Sequence, residues 1–183
     1  MEQLRGMRRQ TANLIEHMAY EQAQGFINEN KELIGQLFPD NKDLLDIFND
    51  LQARLYSRTG ESEKAIELMQ KVVEQTKETQ GEGDQETILH QEDLAEIFYE
   101  SQKFEEALTL FRKCFELRLE TPQNNFFLME NLMNTQKCLR DLNRPEEALQ
   151  VLQKAFDLVE PIKEEDRGQF FLARLSFSKG LLF

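Results

Sequence analysis

The sequence predicts an all-α fold, a solenoid of antiparallel helix pairs, and three observations carry that prediction. The first is the stretch "LAEIFYESQKFEEALTLFRKCFELR", residues 94–118, where apolar side chains recur at Leu94, Ile97 and Phe98 and again at Phe104, Ala107, Leu108, Phe111, Cys114 and Phe115. Steps of three and four mark helical faces, and the polar "ESQK" between them separates two short helices folded against each other. The second is that "EKAIELM", "EEALTLF" and "EEALQVL" align, placing Ala65, Ala107 and Ala148 in register at spacings of 42 and 41 residues. The third is that each face is too wide for one partner, so a neighbouring pair must cover the surplus, as in stacked repeats.

Taken along the chain, residues 1–43 read as N-terminal helices with the trace of a degenerate repeat. Ala23 lies 42 before Ala65 and Tyr20 precedes it as Phe104 precedes Ala107, but Asn30 falls where a small apolar residue is expected. Residues 44–161 hold three repeats. Nine before each register alanine stands Tyr56, Phe98 or Leu139; four after it stands Met69, Phe111 or Leu152; seven after it stands Val72, Cys114 or Ala155. The alanines let two helices approach closely and the large side chains fill the gap to the next pair. The turns agree: "SRTGES" contains Gly60, and in "LNRPEEA" Asn143 is a candidate cap ahead of Pro145 in the first helical turn. "TQGEGDQ" and "LETPQN" break the chain between repeats. Residues 162–183 form a C-terminal helix, either the first half of a further repeat or an interface helix. Its two apolar faces, Phe170, Ala173, Phe177 and Leu181 on one and Phe171, Leu175 and Leu182 on the other, lack the polar outer side of a closing helix.

Composition excludes several function classes. The 183 residues carry a net charge of -12 with 40% hydrophobic and 31% charged residues, the balance of a folded acidic protein. Nucleic acid needs a clustered basic surface, and only Arg5, Arg8 and Arg9 cluster, at a helix end. The longest uninterrupted apolar run, "FFLM", is far short of the roughly 20 residues that span a bilayer. The opening "MEQLRGMRRQTANLIEHMAY" lacks the apolar core of a secretory signal. No membrane insertion and a cytoplasmic location, with cytoskeletal association as one reading, are therefore expected. Cys114 and Cys138 have no metal-ligand spacing and read as reduced small core residues.

No catalytic constellation is expected either. The eight glycines are scattered and form no phosphate-cradling loop. His17 and His90 stand far apart without zinc spacing and read as surface residues. Glu105 and Glu106, and Glu164 to Asp166, precede or open helices, where acidic side chains complement the helix dipole. The expectation is a protein without enzyme activity, metal or cofactor.

The units resemble tetratricopeptide repeats, and the 41 to 42 residue spacing is similar to the kinesin light chain type. The match is fullest over "GEGDQETILHQEDLAEIFYESQKFEEALTLFRKCFELRL", residues 81–119. Departures fall in the third unit, where Gln136 replaces a small residue and Pro145 an aromatic one. The resemblance implies helix pairs coiled into a right-handed superhelix whose concave groove is lined by the first helix of each pair. Its peptide-binding positions are then Glu92, Asp93, Glu96 and Glu100 in the second unit. In the first unit they are Asp50, Arg54 and Arg58, and in the third Asn134, Lys137 and Asp141, with Met133 alongside. Kinesin light chains hold a peptide backbone with groove asparagines; Asn134 matches one and Asp93 replaces the other. Repeats that clamp a carboxylate terminus use basic groups, and Asp50, Asp93 and Glu130 stand in those places, which argues against that use.

The stripe Glu92, Glu96, Glu100 is either a solvated helix face or a landing strip for a basic segment. Like charges four residues apart cost roughly 0.2 to 0.5 kcal/mol a pair in an isolated helix, which favours a binding role. The function expected is a protein-protein interaction scaffold or adaptor, part of a multiprotein complex, taking a protein or peptide of basic character. A structural subunit permanently embedded in a large cytoskeletal or motor-associated assembly, and a regulatory fragment of a longer protein, are the alternatives. Phe170, Phe171, Leu175, Phe177 and Leu181 are the expected interface side chains of the last helix.

Overall fold

The structure is a computed structural model that describes residues 2–38, 48–120, 125–162 and 166–180. Its described residues form nine α-helices and no strand: α1 Glu2–Glu16, α2 Tyr20–Leu37, α3 Asn49–Arg58, α4 Ser62–Gln80, α5 Gln85–Glu100, α6 Phe104–Leu119, α7 Asn125–Asp141, α8 Pro145–Val159 and α9 Asp166–Gly180. A short 3₁₀ turn, Glu160–Ile162, follows α8. The chain divides into two compact units, Met1–Thr79 and Gln80–Phe183.

Four helix pairs share one connector. Three residues join α1 to α2, α3 to α4, α5 to α6 and α7 to α8, and such short links return the chain antiparallel. Each connector holds one residue in the left-handed region: Met18 (φ 59°), Gly60 (φ 84°), Gln102 (φ 60°) and Asn143 (φ 57°). The hydrogen bonds repeat as well. The left-handed residue donates its N–H to the carbonyl three residues back, and the next residue donates to the carbonyl five back, as in Met18 to Ile15 and Ala19 to Leu14. The same two bonds close the turns at Gly60, Gln102 and Asn143, and they satisfy carbonyls that a helix end leaves orphaned. Asn143 is thus the last turn of α7 and not the cap expected from sequence. Arg144 occupies the cap position of α8 without a side-chain bond, and Pro145 opens the helix.

The register alanines are core residues. Ala23, Ala65, Ala107 and Ala148 are all fully buried, as are Ile27, Met69, Phe111 and Leu152 four residues on. Asn30, at the position of Val72, Cys114 and Ala155, is buried too, with its amide donating to the Phe26 carbonyl at 2.6 Å in its own helix. A polar side chain therefore occupies a small apolar site without an orphaned donor. Gln136, at the position of Ala53 and Ala95, is 1% exposed, with its Nε2 buried and unpartnered among the described residues.

In the first unit, Ile15, Ala23, Ile27, Ile34, Phe48, Leu51 and Leu55 form one core from α1, α2, α3 and the residue preceding α3. In the second, α5 packs on α6, α6 on α7, α7 on α8 and α8 on α9. Ala95, Ala107, Leu108, Phe111, Cys138, Leu139 and Ala148 make its first cluster. Met129, Leu132, Met133, Leu152, Ala155, Val159, Phe171 and Leu175 make its second. His90 is 7% exposed, which corrects the surface reading of that residue, whereas His17 is on the surface.

Candidate functional site

The second unit sets two first helices, α5 and α7, beside each other, and a ladder of side-chain bonds links them. Asp84 starts α5 by accepting from the Glu86 N–H at 2.8 Å, a cap that fixes where each later side chain points. From there Glu92 Oε1 accepts from Asn131 Nδ2 at 3.1 Å, Glu96 Oε1 accepts from Asn134 Nδ2 at 3.1 Å, and the Tyr99 hydroxyl donates to Asp141 Oδ2 at 2.5 Å. Lys137 Nζ donates to Asn134 Oδ1 at 2.9 Å, so the second rung runs from ammonium to amide to carboxylate.

The expected acidic stripe divides by environment. Glu96 and Glu100 are exposed and Asp93 is half-buried. Glu92 is different: the Arg118 guanidinium of α6 grips it, Nε to Oε1 at 2.8 Å and Nη2 to Oε2, with the side chains only 3% (Arg118) and 14% (Glu92) exposed. The same guanidinium lies 4.7 Å from the centre of the Phe127 ring, a cation–π contact. Glu92 is therefore the counter-ion of a buried arginine and not part of an open face. Met133, placed along the groove by sequence, is 3% exposed and belongs to the core.

Burial acts on the lowest rung. Desolvation, followed by the hydrogen bond to Asp141, pushes the Tyr99 hydroxyl up to about 12. Desolvation works against ionised Asp141 too, but the bonds from Arg140 and Tyr99 outweigh it and hold the carboxyl below its usual range. Arg140 Nε donates to Asp141 Oδ1 at 2.9 Å. This end of the ladder is thus a neutral phenol on a stable carboxylate across neutral pH.

In the first unit, Asp50 is 8% exposed and bound in two places by Arg8 of α1, Nη1 to Oδ1 at 2.9 Å and Nη2 to Oδ2 at 2.5 Å. Gln52 and Gln24 exchange amide bonds at 2.7 and 3.1 Å. Arg54 is half-buried and Arg58 exposed. Asp50 is thereby committed to its own unit.

The last helix also divides. Phe171 and Leu175 are 1% and 0% exposed, inside the core they share with α7 and α8, whereas Phe170 and Phe177 are 56% and 70% exposed. Arg174 pairs with Glu130 of α7 and lies 5.4 Å from the Phe170 ring centre. Two of the expected interface side chains are therefore consumed within the chain, and Leu181 lies outside the described residues.

Neither cysteine is chemically poised. Burial, first among the causes, pushes both thiols up to about 12, the reverse of an activated nucleophile. Among the described residues no group of His, Cys, Asp and Glu is placed to hold a metal ion. None of the helices searched there is long and apolar enough to cross a membrane.

Sequence reasoning passed over Arg118, Asn131 and Arg174, and it read Arg8 as part of a solvated helix end, whereas Arg8 holds the buried Asp50. Arg118 left one signal: it stands four after Cys114 and seven after Phe111, on an apolar face where an arginine requires a buried acid.

Comparison with known proteins bears on the same geometry. The tetratricopeptide repeat family model matches residues 43–120. A Podosopora anserina protein named for kinesin light chain, with nearly identical TPR-like repeats, superposes with a TM-score of 0.76 at 16% identity, covering 97% of this chain and 87% of that one. A second structure of that protein gives 0.73 at 15% identity, with the same coverage. BtubC (BKLC) from P. vanneervenii gives 0.67 at 19% identity, covering 94% of this chain and 71% of its own. Among curated proteins, none matches by sequence. The repeated alanines, the repeated turn and these likenesses together show tetratricopeptide repeats over residues 43–120 and, for the chain, the fold of the kinesin-light-chain-like repeat structures.

Proposed function

We propose that the chain is a non-enzymatic interaction scaffold that takes a basic segment of a partner protein along the α5–α7 side. Asp93, Glu96, Glu100, Asn134, Lys137 and Asp141 are the contact positions there; in the first unit, taken by itself, Arg54 and Arg58 are the corresponding positions. Glu92 and Asp50 serve it only by holding their helices. The observation that carries the reading is that Glu96 and Glu100 lie exposed one turn apart on a helix where Glu92, one turn before them, is neutralised by Arg118. Two adjacent carboxylates lie within a Debye length, about 8 Å at physiological salt, of a single bound lysine or arginine. The helices Glu2–Glu16 and Tyr20–Leu37 add a pair of the same kind, since Met18 and Ala23 repeat the turn and the alanine of the other pairs.

The test is the double reversal Glu96→Lys with Glu100→Lys, measured against a lysine-rich peptide at two ionic strengths. Affinity is expected to drop roughly tenfold or more at low salt, about 1.4 kcal/mol, with the difference shrinking as salt rises. Equal affinities at low salt would sink the proposal.

A second reading, a subunit held permanently in a larger assembly, is favoured by the exposure of Phe170 and Phe177. Exposed phenylalanines forgo about 1.5 to 3 kcal/mol each relative to full burial. Phe177→Ser should leave the fold intact and weaken retention in such an assembly, as read by co-sedimentation of the full chain.

A further inference from the structure

A cleft of about 240 Å³ opens between α6 and α8, with α7 beneath it, away from the ladder just described. Its walls are apolar: Phe115 and Val151 are partly buried and Leu132 is 4% exposed. At the base lies Thr135, 3% exposed, with a hydroxyl that has no hydrogen-bond partner among the described residues. A threonine inside a helix normally donates to a carbonyl of the preceding turn, so this hydroxyl is kept open at some cost.

Charge at the mouth is positive. On one side Arg112 Nη2 donates to Glu147 Oε2 at 2.8 Å, and Arg144 donates to Glu147 at 2.6 and 2.9 Å and reaches Glu105 at 3.4 Å, so with Lys154 three cations face two carboxylates. On the other side Lys154 is exposed and has no ion pair among the described residues. Asp157, the nearest acid along the same helix, accepts from Gln153 at 2.9 Å. A chain of net charge -12 thus carries a local surplus of cations around an apolar hollow.

We propose that this cleft is a second docking site, separate from the α5–α7 side, which takes one large apolar side chain of an acidic partner peptide. The volume decides between occupants. Sites for whole small-molecule ligands run about 300–1,000 Å³, whereas one anchor side chain entering a preformed hollow is the usual centre of a peptide or protein interface. Leucine or phenylalanine meets Phe115, Leu132 and Val151, a backbone carbonyl of the bound segment accepts from Thr135, and a flanking carboxylate meets Lys154. The site is independent of the proposed basic ligand on the other side.

The experiment uses the full chain labelled at threonine, valine and leucine methyls. It is titrated with two acetylated peptides, a leucine flanked by glutamates and the same leucine flanked by lysines. The acidic peptide is expected to shift the methyl signals of Leu132, Thr135 and Val151 and, with affinity read from those signals alone, to bind at the cleft at least fivefold more tightly than the basic one. Because the chain as a whole repels acids, that preference reports the local site and not the overall field. Lys154→Glu, an exposed change that leaves the core alone, should abolish or invert the preference, and Thr135→Val should weaken the acidic peptide several-fold in a folded protein. Absence of methyl shifts at millimolar peptide, equal affinity for the two peptides, or the same shifts produced by raising protein concentration alone would overturn the assignment, the last in favour of a second copy of the chain.

Discussion

Gln102 and Met18 hold the left-handed turn position that Gly60 fills in the equivalent connector. For a residue with a Cβ that conformation costs roughly 1–2 kcal/mol, part of which glycine would lose again through its freer unfolded chain. Gln102→Gly is therefore expected to stabilise by up to about 1 kcal/mol and Gly60→Ala to destabilise by a similar amount, since nothing lies within 4 Å of a Cβ at Gly60 and only backbone strain acts there. Urea midpoints moving in the same direction for both variants would refute the argument. Cys114 and Cys138 set a pH limit. Both thiols lie at about 12 in the folded chain against an ordinary value of 9.0, so between those values the unfolded chain loses protons that the folded one keeps. The stability is fully present below pH 9 and falls as pH rises through 12, by about 1.4 kcal/mol per pH unit for each thiol where the two states differ fully. Tyr99, also raised to about 12, adds to the loss over the upper part of that range. Replacing both cysteines by alanine should flatten the curve between pH 9 and 12; an unchanged slope would place the alkaline loss elsewhere.

At the scale of helices, the Glu92–Arg118 pair ties α5 to α6 and, through Asn131, to α7. Removing one partner of a buried ion pair leaves the other uncompensated, at about 3–5 kcal/mol. Glu92→Ala should therefore destabilise the second unit by that amount, whereas Glu96→Ala, on an exposed side chain, should change stability by no more than about 0.5 kcal/mol. Comparable urea midpoints for the two variants would show Glu92 to be a surface residue after all. The contrast explains what was legible. The alanine register, the large and small positions around it and the breakers at Gly60 and Gly81 were all readable, because packing imposes size at fixed intervals and turns impose residue type. The division of the acidic stripe is not readable from its own spacing, since what sets Glu92 apart is the Arg118 guanidinium of α6, 26 residues away. Asn143 misled for a physical reason: asparagine both caps helix starts and tolerates the left-handed region, and only the backbone tells which. The last helix was read as apolar all round, and the chain's own core took Phe171 and Leu175 but not Phe170 and Phe177.

Within the second unit the packing is linear, each helix resting on the next. Stability in such an array is close to a sum of neighbouring interfaces, so damage stays local. Leu175→Asp, which puts a charge in the core shared by α7, α8 and α9, should speed amide exchange in α8 and α9 at least tenfold while α5, which does not touch α9, keeps most of its protection; a uniform rise through α5 would indicate a single cooperative block. The bonded state of the α5–α7 side has a thermal counterpart. Glu96, Asn134, Lys137, Tyr99 and Asp141 already hold one another, so a ligand that engages any of them trades one hydrogen bond for another. The heat of such an exchange is close to zero, and the free energy comes instead from water and small ions set loose as opposite charges meet. Calorimetry on this face would record little enthalpy, and because Tyr99 stays a neutral phenol and Asp141 a carboxylate across neutral pH whether or not their bond is broken, the heat would not vary with the buffer's ionisation.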